Sequence, residues 1–257
     1  MAAPRISAIE WKNKGLTIRG SIHRVRPKGG VWCILCHGFT GHRIGPGYLF
    51  VRLSRELLAA RVSSLRFDFC GAGESDGLFK DMTVDSMRSD LVSAVRLVRR
   101  RFAPARLLLL GHSLGGMIAA LQCEKEKADG LALLAPVAEP RGLIERRGHI
   151  INAGPNASGC YENGPHEMSL SFIDGLKNID PPGILVQQFH GSLLLMQGDA
   201  DASIAVDESV RYVDAARSAG IETGYYILKG ADHNFSTVSH FSEVSRRVSE
   251  WAKEFVR

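Results

Sequence analysis

Membrane-spanning runs are what this 257-residue chain most plainly lacks: no apolar stretch approaches the roughly 18 residues that a membrane helix needs. Its first residues, MAAPRISAIEW, show no apolar core of a secretion signal, so a cytoplasmic protein is expected. Cysteine is scarce and odd in number, five in all, which argues against a disulfide framework. Cys33 and Cys36 have CxxC spacing but sit in the apolar run VWCILCHG, where residues three apart on a strand face opposite sides of a sheet. They are expected as buried structural thiols rather than a redox or zinc centre. Clustered metal ligands are absent, since no His or Cys pair has helix-face spacing with an acidic partner; no metal and no other cofactor is expected. The net charge of +5 is not gathered in a basic tail. Arg96, Arg99, Arg100 and Arg101 read as a solvated helix face, so nucleic acid is not an expected partner. Internal repeats and low-complexity tracts are lacking too. Whether two copies pair as a homodimer is left open.

What is present is an ordinary globular composition, 45% hydrophobic and 23% charged, which excludes disordered and collagen-like chains. A domain of this length buries roughly 70–75% of its unfolded surface, and a single domain over 1–257 is expected. ISAIEW and LTIRGSIHRV are short β-like runs around Asn13-Lys14-Gly15, a hairpin signal. Apolar runs then alternate with helical patterns: strands at 31–37, 63–69, 106–111 and 130–136, helices at 48–60 and 82–102, and a helix starting near Ser113. Thr83 and Asp85 both offer a cap for the second helix. After Pro136 the rhythm breaks. Residues 138–190 are rich in Gly, Pro and Asn, with one weak helical stretch around 168–176, and a connection that long reads as a lid or cap insertion. The alternation resumes with strands at 191–199 and 223–230 and helices at 207–220 and 238–256. Strands that are near-continuous apolar runs, alternating with helices, predict an α/β fold with a mostly parallel sheet covered on both faces.

One segment carries chemistry. Gly111-His112-Ser113-Leu114-Gly115-Gly116 contains the GxSxG pattern between an apolar strand and a helical run. A serine there sits on a strained strand-to-helix turn that lifts its Oγ clear of the sheet, and the glycines on either side avoid side-chain clashes. The helix N-terminus behind it offers N–H groups to a developing oxyanion.

A serine nucleophile needs a base, and the base needs an orienting carboxylate. The downstream histidines are His149, His166, His190, His233 and His240. His233, in Gly230-Ala-Asp-His-Asn-Phe, lies just past a strand, where open α/β sheets put their sites; the others read as surface or packing histidines. For the acid, Asp199 and Asp201 compete in Gln197-Gly198-Asp199-Ala200-Asp201. Asp201 is favoured because it reaches back beneath the histidine, with Asp199 bracing the loop. The oxyanion donors are expected at the N–H of Leu114 and the N–H of Phe39, the latter in the strand-end loop His37-Gly38-Phe39-Thr40-Gly41.

With these parts in this order, the chain resembles the α/β-hydrolase superfamily along essentially its whole length. FDFCGAGESDG (67–77) is similar to that family's D-x-x-G-x-G-x-S turn. Among its branches the closest resemblance is to cinnamoyl or feruloyl esterase-like serine carboxylesterases, through HGFTG, the Arg66–Thr83 stretch RFDFCGAGESDGLFKDMT and GADHNF. The resemblance implies a sheet of about eight strands and a Ser113, His233, Asp201 triad with Phe39 and Leu114 at the oxyanion hole. It also implies a lid at 138–190 over the acyl pocket and a small-molecule ester as substrate. In those esterases the lid supplies polar contacts to a phenolic ring, and Glu139, Tyr161, Glu162 and His166 are the lid residues considered for that role. Leu114 stands where the group commonly has Gln. A thioesterase or peptidase on the same triad is the alternative within catalysis, and a non-catalytic hydrolase-like accessory module the alternative outside it. Gly71-Ala72-Gly73 is too short a pattern for dinucleotide binding.

Overall fold

The chain starts with a hairpin whose strands, β1 (Arg5–Asn13) and β2 (Leu16–Arg24), pair antiparallel along their full length. Lys14 and Gly15 join them, both at positive φ (47° and 87°), the geometry whose twist matches that of the flanking strands. The computed structural model describes residues 5–26, 28–145 and 148–256. Residues 1–4, on which the reading of an absent secretion signal partly rests, and residues 146 and 147 of the expected insertion lie outside the described residues.

Strands and helices then alternate: β3 (Val31–Cys36), α1 (Leu49–Ala59), β4 (Val62–Phe67), α2 (Val84–Phe102), β5 (Arg106–His112), α3 (Leu114–Gln122) and β6 (Gly130–Leu134). Thr83 caps α2 by accepting from the Ser86 N–H, and Ser86 answers with its hydroxyl on the Thr83 N–H. Between β6 and the next sheet strand come α4 (Pro140–Glu145), α5 (Gly148–Asn152), the hairpin β7 (Tyr161–Asn163) and β8 (His166–Met168), α6 (Leu170–Gly175) and α7 (Pro181–Leu185). The chain closes with β9 (Ser192–Gly198), α8 (Val206–Ser218), β10 (Thr223–Leu228) and α9 (Val238–Glu254). Only α6 of the inserted elements matches the weak helical stretch read in the sequence. The other helices there, α4, α5 and α7, run five or six residues and have no counterpart in the sequence reading.

The main sheet has eight strands in the order β1-β2-β4-β3-β5-β6-β9-β10. β1 and β2 are antiparallel to their neighbours, and the pairs from β4 to β10 are parallel. Alternate residues of the central strands feed two apolar layers. Trp32, Ile34, Cys36, Leu107 and Leu109 pack with α2, α3 and α8, whereas Cys33, Leu35, Leu108 and Leu110 pack with α1 and α9. Cys33 and Cys36 therefore lie in different layers, both buried and unpaired, and burial raises both thiol pKa values. Among the described residues no helix is long and apolar enough to cross a membrane, and no group of three or more His, Cys, Asp or Glu side chains is placed to hold a metal.

This topology also places a crevice. The chain leaves β3 toward β4 and leaves β5 toward β6, so adjacent parallel strands send their following segments in opposite directions. Ligands of open α/β sheets bind at that reversal, outside the carboxyl ends of the strands. The segments there are His37–Gly41 and Ser113 with the start of α3.

Candidate active site

Ser113 joins β5 to α3 at φ 56°, ψ −125°, a backbone conformation that costs a non-glycine residue about 1–3 kcal/mol. The turn is held by the Ser113 N–H donating to Leu134 O (2.9 Å) and the Gly116 N–H donating to Ser113 O (2.9 Å). Its glycines answer to backbone contact. A Cβ on Gly111 would stand 2.3 Å from Gly115 O, and one on Gly115 would stand 2.2 Å from Cys36 O and 2.4 Å from His37 O. The elbow is thus pressed directly onto the end of β3.

The loop after β3 lies on the other side of the serine, where a Cβ on Gly38 would meet Ser113 Cβ at 3.0 Å. His37 is buried beneath this loop, and its two ring nitrogens have opposite duties. Nε2 lies 3.1 Å from the Phe69 N–H, which donates to it, so Nε2 is the acceptor and Nδ1 carries the hydrogen. Nδ1 then donates to Gly38 O at 2.9 Å, and the Gly41 N–H donates to the same oxygen at 3.1 Å. In a trans peptide the carbonyl and the following N–H point in opposite directions. Pinning Gly38 O on the His37 side thus turns the Phe39 N–H away from that ring. The Leu114 N–H belongs to the first turn of α3, whose leading amides have no partner within the helix. Burial pushes the His37 imidazole down to about 4, so the ring serves as a neutral clamp.

The turn after β4 braces this loop from outside. Asp68, fully buried, accepts from the Arg43 N–H (2.6 Å) and the Glu74 N–H (3.0 Å) and pairs with the Arg43 guanidinium. Gly73, at φ 55°, approaches so closely that a Cβ there would stand 2.3 Å from the Asp68 carboxyl carbon. The Gly-Ala-Gly of this turn is accounted for by that packing.

His233 sits past β10, with Nδ1 2.7 Å from Asp201 Oδ2. The Asp201 side chain is fully buried. Its Oδ1 accepts from the Ser203 and Ile204 N–H groups (2.7 and 2.9 Å), and Gln197 Nε2 donates to Oδ2 at 2.9 Å. Burial pushes this carboxyl up, but the His233 hydrogen bond, the Ile204 and Ser203 amides and the nearby imidazole outweigh it and hold the pKa below the usual value. A carboxylate only accepts, so His233 Nδ1 carries the hydrogen and Nε2 is the basic nitrogen. Asp199, the competing acid, takes the Gly230 N–H at the start of the histidine loop, which is a bracing contact.

Ser113, His233, Gly38 and Phe39 line one cavity of about 590 Å³. From the insertion, Leu143 and Asn163 reach this lining, joined by Ser203 and Asn234. None of the four lid residues singled out in the sequence lines it. Glu139 pairs with Arg211 at 2.6 Å, and Tyr161 packs half-buried on the apolar core. Glu162 is exposed beside Asn156, and His166 lies on Phe79 with ring centroids 4.5 Å apart. Phe79 in turn meets Phe39 edge-on at 5.4 Å, and Phe172 of α6 stacks on Phe39 at 5.4 Å and 16°. The insertion therefore grips the Phe39 side chain and, among the described residues, adds two to the cavity wall. Of the other histidines, His190 is exposed, His240 bonds Lys229 O at 3.1 Å, and the side chain of His149 lies outside the described residues.

Residues 28–153 match the family described as serine aminopeptidase, S33. Esterase EstD of Thermotoga maritima is 28% identical over 138 residues, which cover 51% of this chain and 34% of that protein; the match spans about a third of the relative's length. Among solved structures, the ferulic acid complex of Est1E from Butyrivibrio proteoclasticus superimposes with a TM-score of 0.80 at 20% identity, over 96% of this chain and 99% of that one. The esterase domain of a Rhodothermus marinus protein superimposes with a TM-score of 0.74 at 20% identity, over 98% and 100%.

Proposed function

We propose that this chain, which has the fold of the α/β-hydrolases, is a serine carboxylesterase acting on small carboxylic esters of short-acyl or aromatic, hydroxycinnamoyl-like acids. The observation that carries this reading is the strained Ser113 sharing a cavity with a His233 whose Nδ1 is held 2.7 Å from a buried carboxylate. In the mechanism, His233 Nε2 takes the Ser113 proton as Oγ attacks the ester carbonyl. The Phe39 and Leu114 N–H groups hold the tetrahedral oxyanion, each donor contributing about 3–4 kcal/mol to the transition state. His233 then gives its proton to the leaving alcohol, and water, activated by the same nitrogen, hydrolyses the acyl-enzyme. Asp201 keeps the Nδ1–H tautomer and stabilises the imidazolium. The insertion at 138–190 acts as the cap over the acyl group.

The family description favours a peptidase as the second reading. An aminopeptidase must hold an α-ammonium, and no carboxylate stands among the described residues that line the cavity. A neutral lining suits a neutral ester. The five buried, unpaired cysteines support a reducing compartment such as the cytoplasm.

The test is hydrolysis of p-nitrophenyl esters from acetate to decanoate, ethyl ferulate and an amino-acid p-nitroanilide, by wild type and Ser113→Ala. Cleavage of a short or aromatic ester that vanishes in the variant is expected. Anilide cleavage without ester cleavage moves the reading to the peptidase. Inertness on every substrate, with a fluorophosphonate probe failing to label Ser113, leaves a binding module in its place.

A further inference from the structure

β5 delivers the nucleophile and β10 leads to the base, yet β6 and β9 lie between them in the sheet. No strand pairing sets the spacing of Ser113 and His233 directly. The contacts that hold the histidine loop on its other side reach the end of β9: the Gly230 N–H donates to Asp199, and the Ala200 N–H donates to Ala231 O at 3.1 Å. These fix the base relative to the acid, not relative to the nucleophile.

A side chain spans the remaining gap. His112, the residue before Ser113, brings Nε2 to 2.9 Å from the main-chain carbonyl of His233, and the two imidazole rings lie 4.8 Å apart at 41°. A carbonyl oxygen only accepts, so Nε2 of His112 carries the hydrogen. His112 is 4% exposed. Burial first, and the neighbouring His233 ring second, push its pKa down to about 4. It is therefore neutral where a histidine base works, and puts no cation beside the imidazolium that His233 becomes.

Resting on the serine-hydrolase reading above, we propose that His112 is a positioning residue: its Nε2–H ties the main chain of His233 to the Ser113 elbow and sets the register of base and nucleophile. His112 also stands in the cavity lining, but the tie itself acts on backbone rather than on the ligand. Its loss lets the base drift by a fraction of an ångström, which is felt in the chemical step and not in ground-state binding.

The experiment compares His112→Gln with His112→Met. Gln keeps an N–H donor at the reach of Nε2, and Met has the same length without it. On the best p-nitrophenyl ester, kcat of His112→Met is expected to fall on the order of 30-fold with KM within about twofold. His112→Gln is expected to recover kcat to within about threefold of wild type. His112→Phe, which keeps a ring and loses the donor, stands in if the Met variant does not fold, and thermal unfolding is recorded for each. Wild-type kcat in the Met variant, or equal losses in Gln and Met, overturns the proposal. Ser113→Ala separates the two levels: a dead Ser113→Ala beside a fully active His112→Met sinks the positioning role alone. A wild type inert on every ester sinks the parent reading and this one with it.

Discussion

Two regions build the cavity, and they are held in different ways. The strand-end loops at His37–Gly41, Gly111–Ser113 and His233 are fixed at their main chain, with glycines at contacts of 2.2–2.3 Å to a notional Cβ and ring nitrogens bonded to backbone groups. The insertion between β6 and β9 is held by side chains, with Phe172 and Phe79 on Phe39, His166 on Phe79, and Glu139 on Arg211. Backbone contacts tolerate almost no change of residue, whereas side-chain contacts tolerate much. Under the proposed esterase reading, the first region carries the chemistry, which needs fixed geometry, and the second the choice of acyl group.

The largest effect that tests this contrast comes from the first region. Asp201→Asn keeps the size of the side chain but removes the carboxylate that holds the His233 tautomer; kcat on the best ester should fall about 10⁴-fold. Steady-state kinetics with pure protein decide it, and a loss under about tenfold would transfer the role to Asp199. Next comes Gly115→Ala. Its new methyl meets Cys36 O and His37 O at 2.2 and 2.4 Å, and backbone on both sides of the contact leaves nothing soft to yield. A loss of about 3 kcal/mol in urea unfolding is expected, together with collapse of activity as the elbow lifts off β3. A fully active and stable Gly115→Ala would show that the two loops are not pressed together as described.

The same contrast explains what was legible in the sequence. GHSLGG announced the elbow because its glycines record where backbone meets backbone. Asn13-Lys14-Gly15 announced the hairpin because the turn needs positive φ at adjacent residues. The Gly-Ala-Gly at 71–73 belonged to the family turn, and the structure adds that it cradles Asp68. The cavity wall contributed by the insertion was not legible. Leu143 and Asn163 reach the cavity only through the packing of short elements, and no local pattern distinguishes them from Tyr161 or Glu162, which do not reach it. The clamping roles of His37 and His112 were hidden for another reason. Each belongs to a motif in the sequence, and only the hydrogen-bond partner of each ring nitrogen reveals what it holds.

Acid should separate the regions by a smaller margin. His37 and His112 are 2% and 4% exposed, and burial lowers each from 6.5 to about 4. Above pH 6.5 folded and unfolded chains are both neutral at these rings. Below it the unfolded chain takes up protons that the folded chain refuses, so stability falls as the pH drops. The loss levels off near pH 4, where the folded rings begin to take up protons too. His23 on β2, also buried and lowered to about 4, adds in the same sense. Asp201 acts in a lower window: with its folded pKa depressed, its contribution is present above about pH 4 and is lost as the pH falls through the folded value. Urea midpoints from neutral pH down to about pH 4.5 should therefore decline for wild type and decline less for His112→Gln. Parallel curves would mean that the ring is not held neutral in the fold.

The smallest effect belongs to the insertion. Asn163 stands on β7 and lines the cavity, while Glu162 beside it is exposed and outside the lining. If the insertion selects the acyl group without taking part in bond making, Asn163→Ala should raise KM for an aromatic ester about threefold and leave kcat within about twofold. Glu162→Ala should change neither parameter by more than about twofold. The comparison is sharpest across the ester series, because a wall residue changes the ranking of substrates while a residue of the chemical step lowers all of them together. A uniform drop in kcat for Asn163→Ala would place that side chain in the transition state and erase the division of labour between the two regions. A changed ranking at constant kcat for the favoured ester would locate specificity in the insertion, which side chains hold to the rest of the molecule.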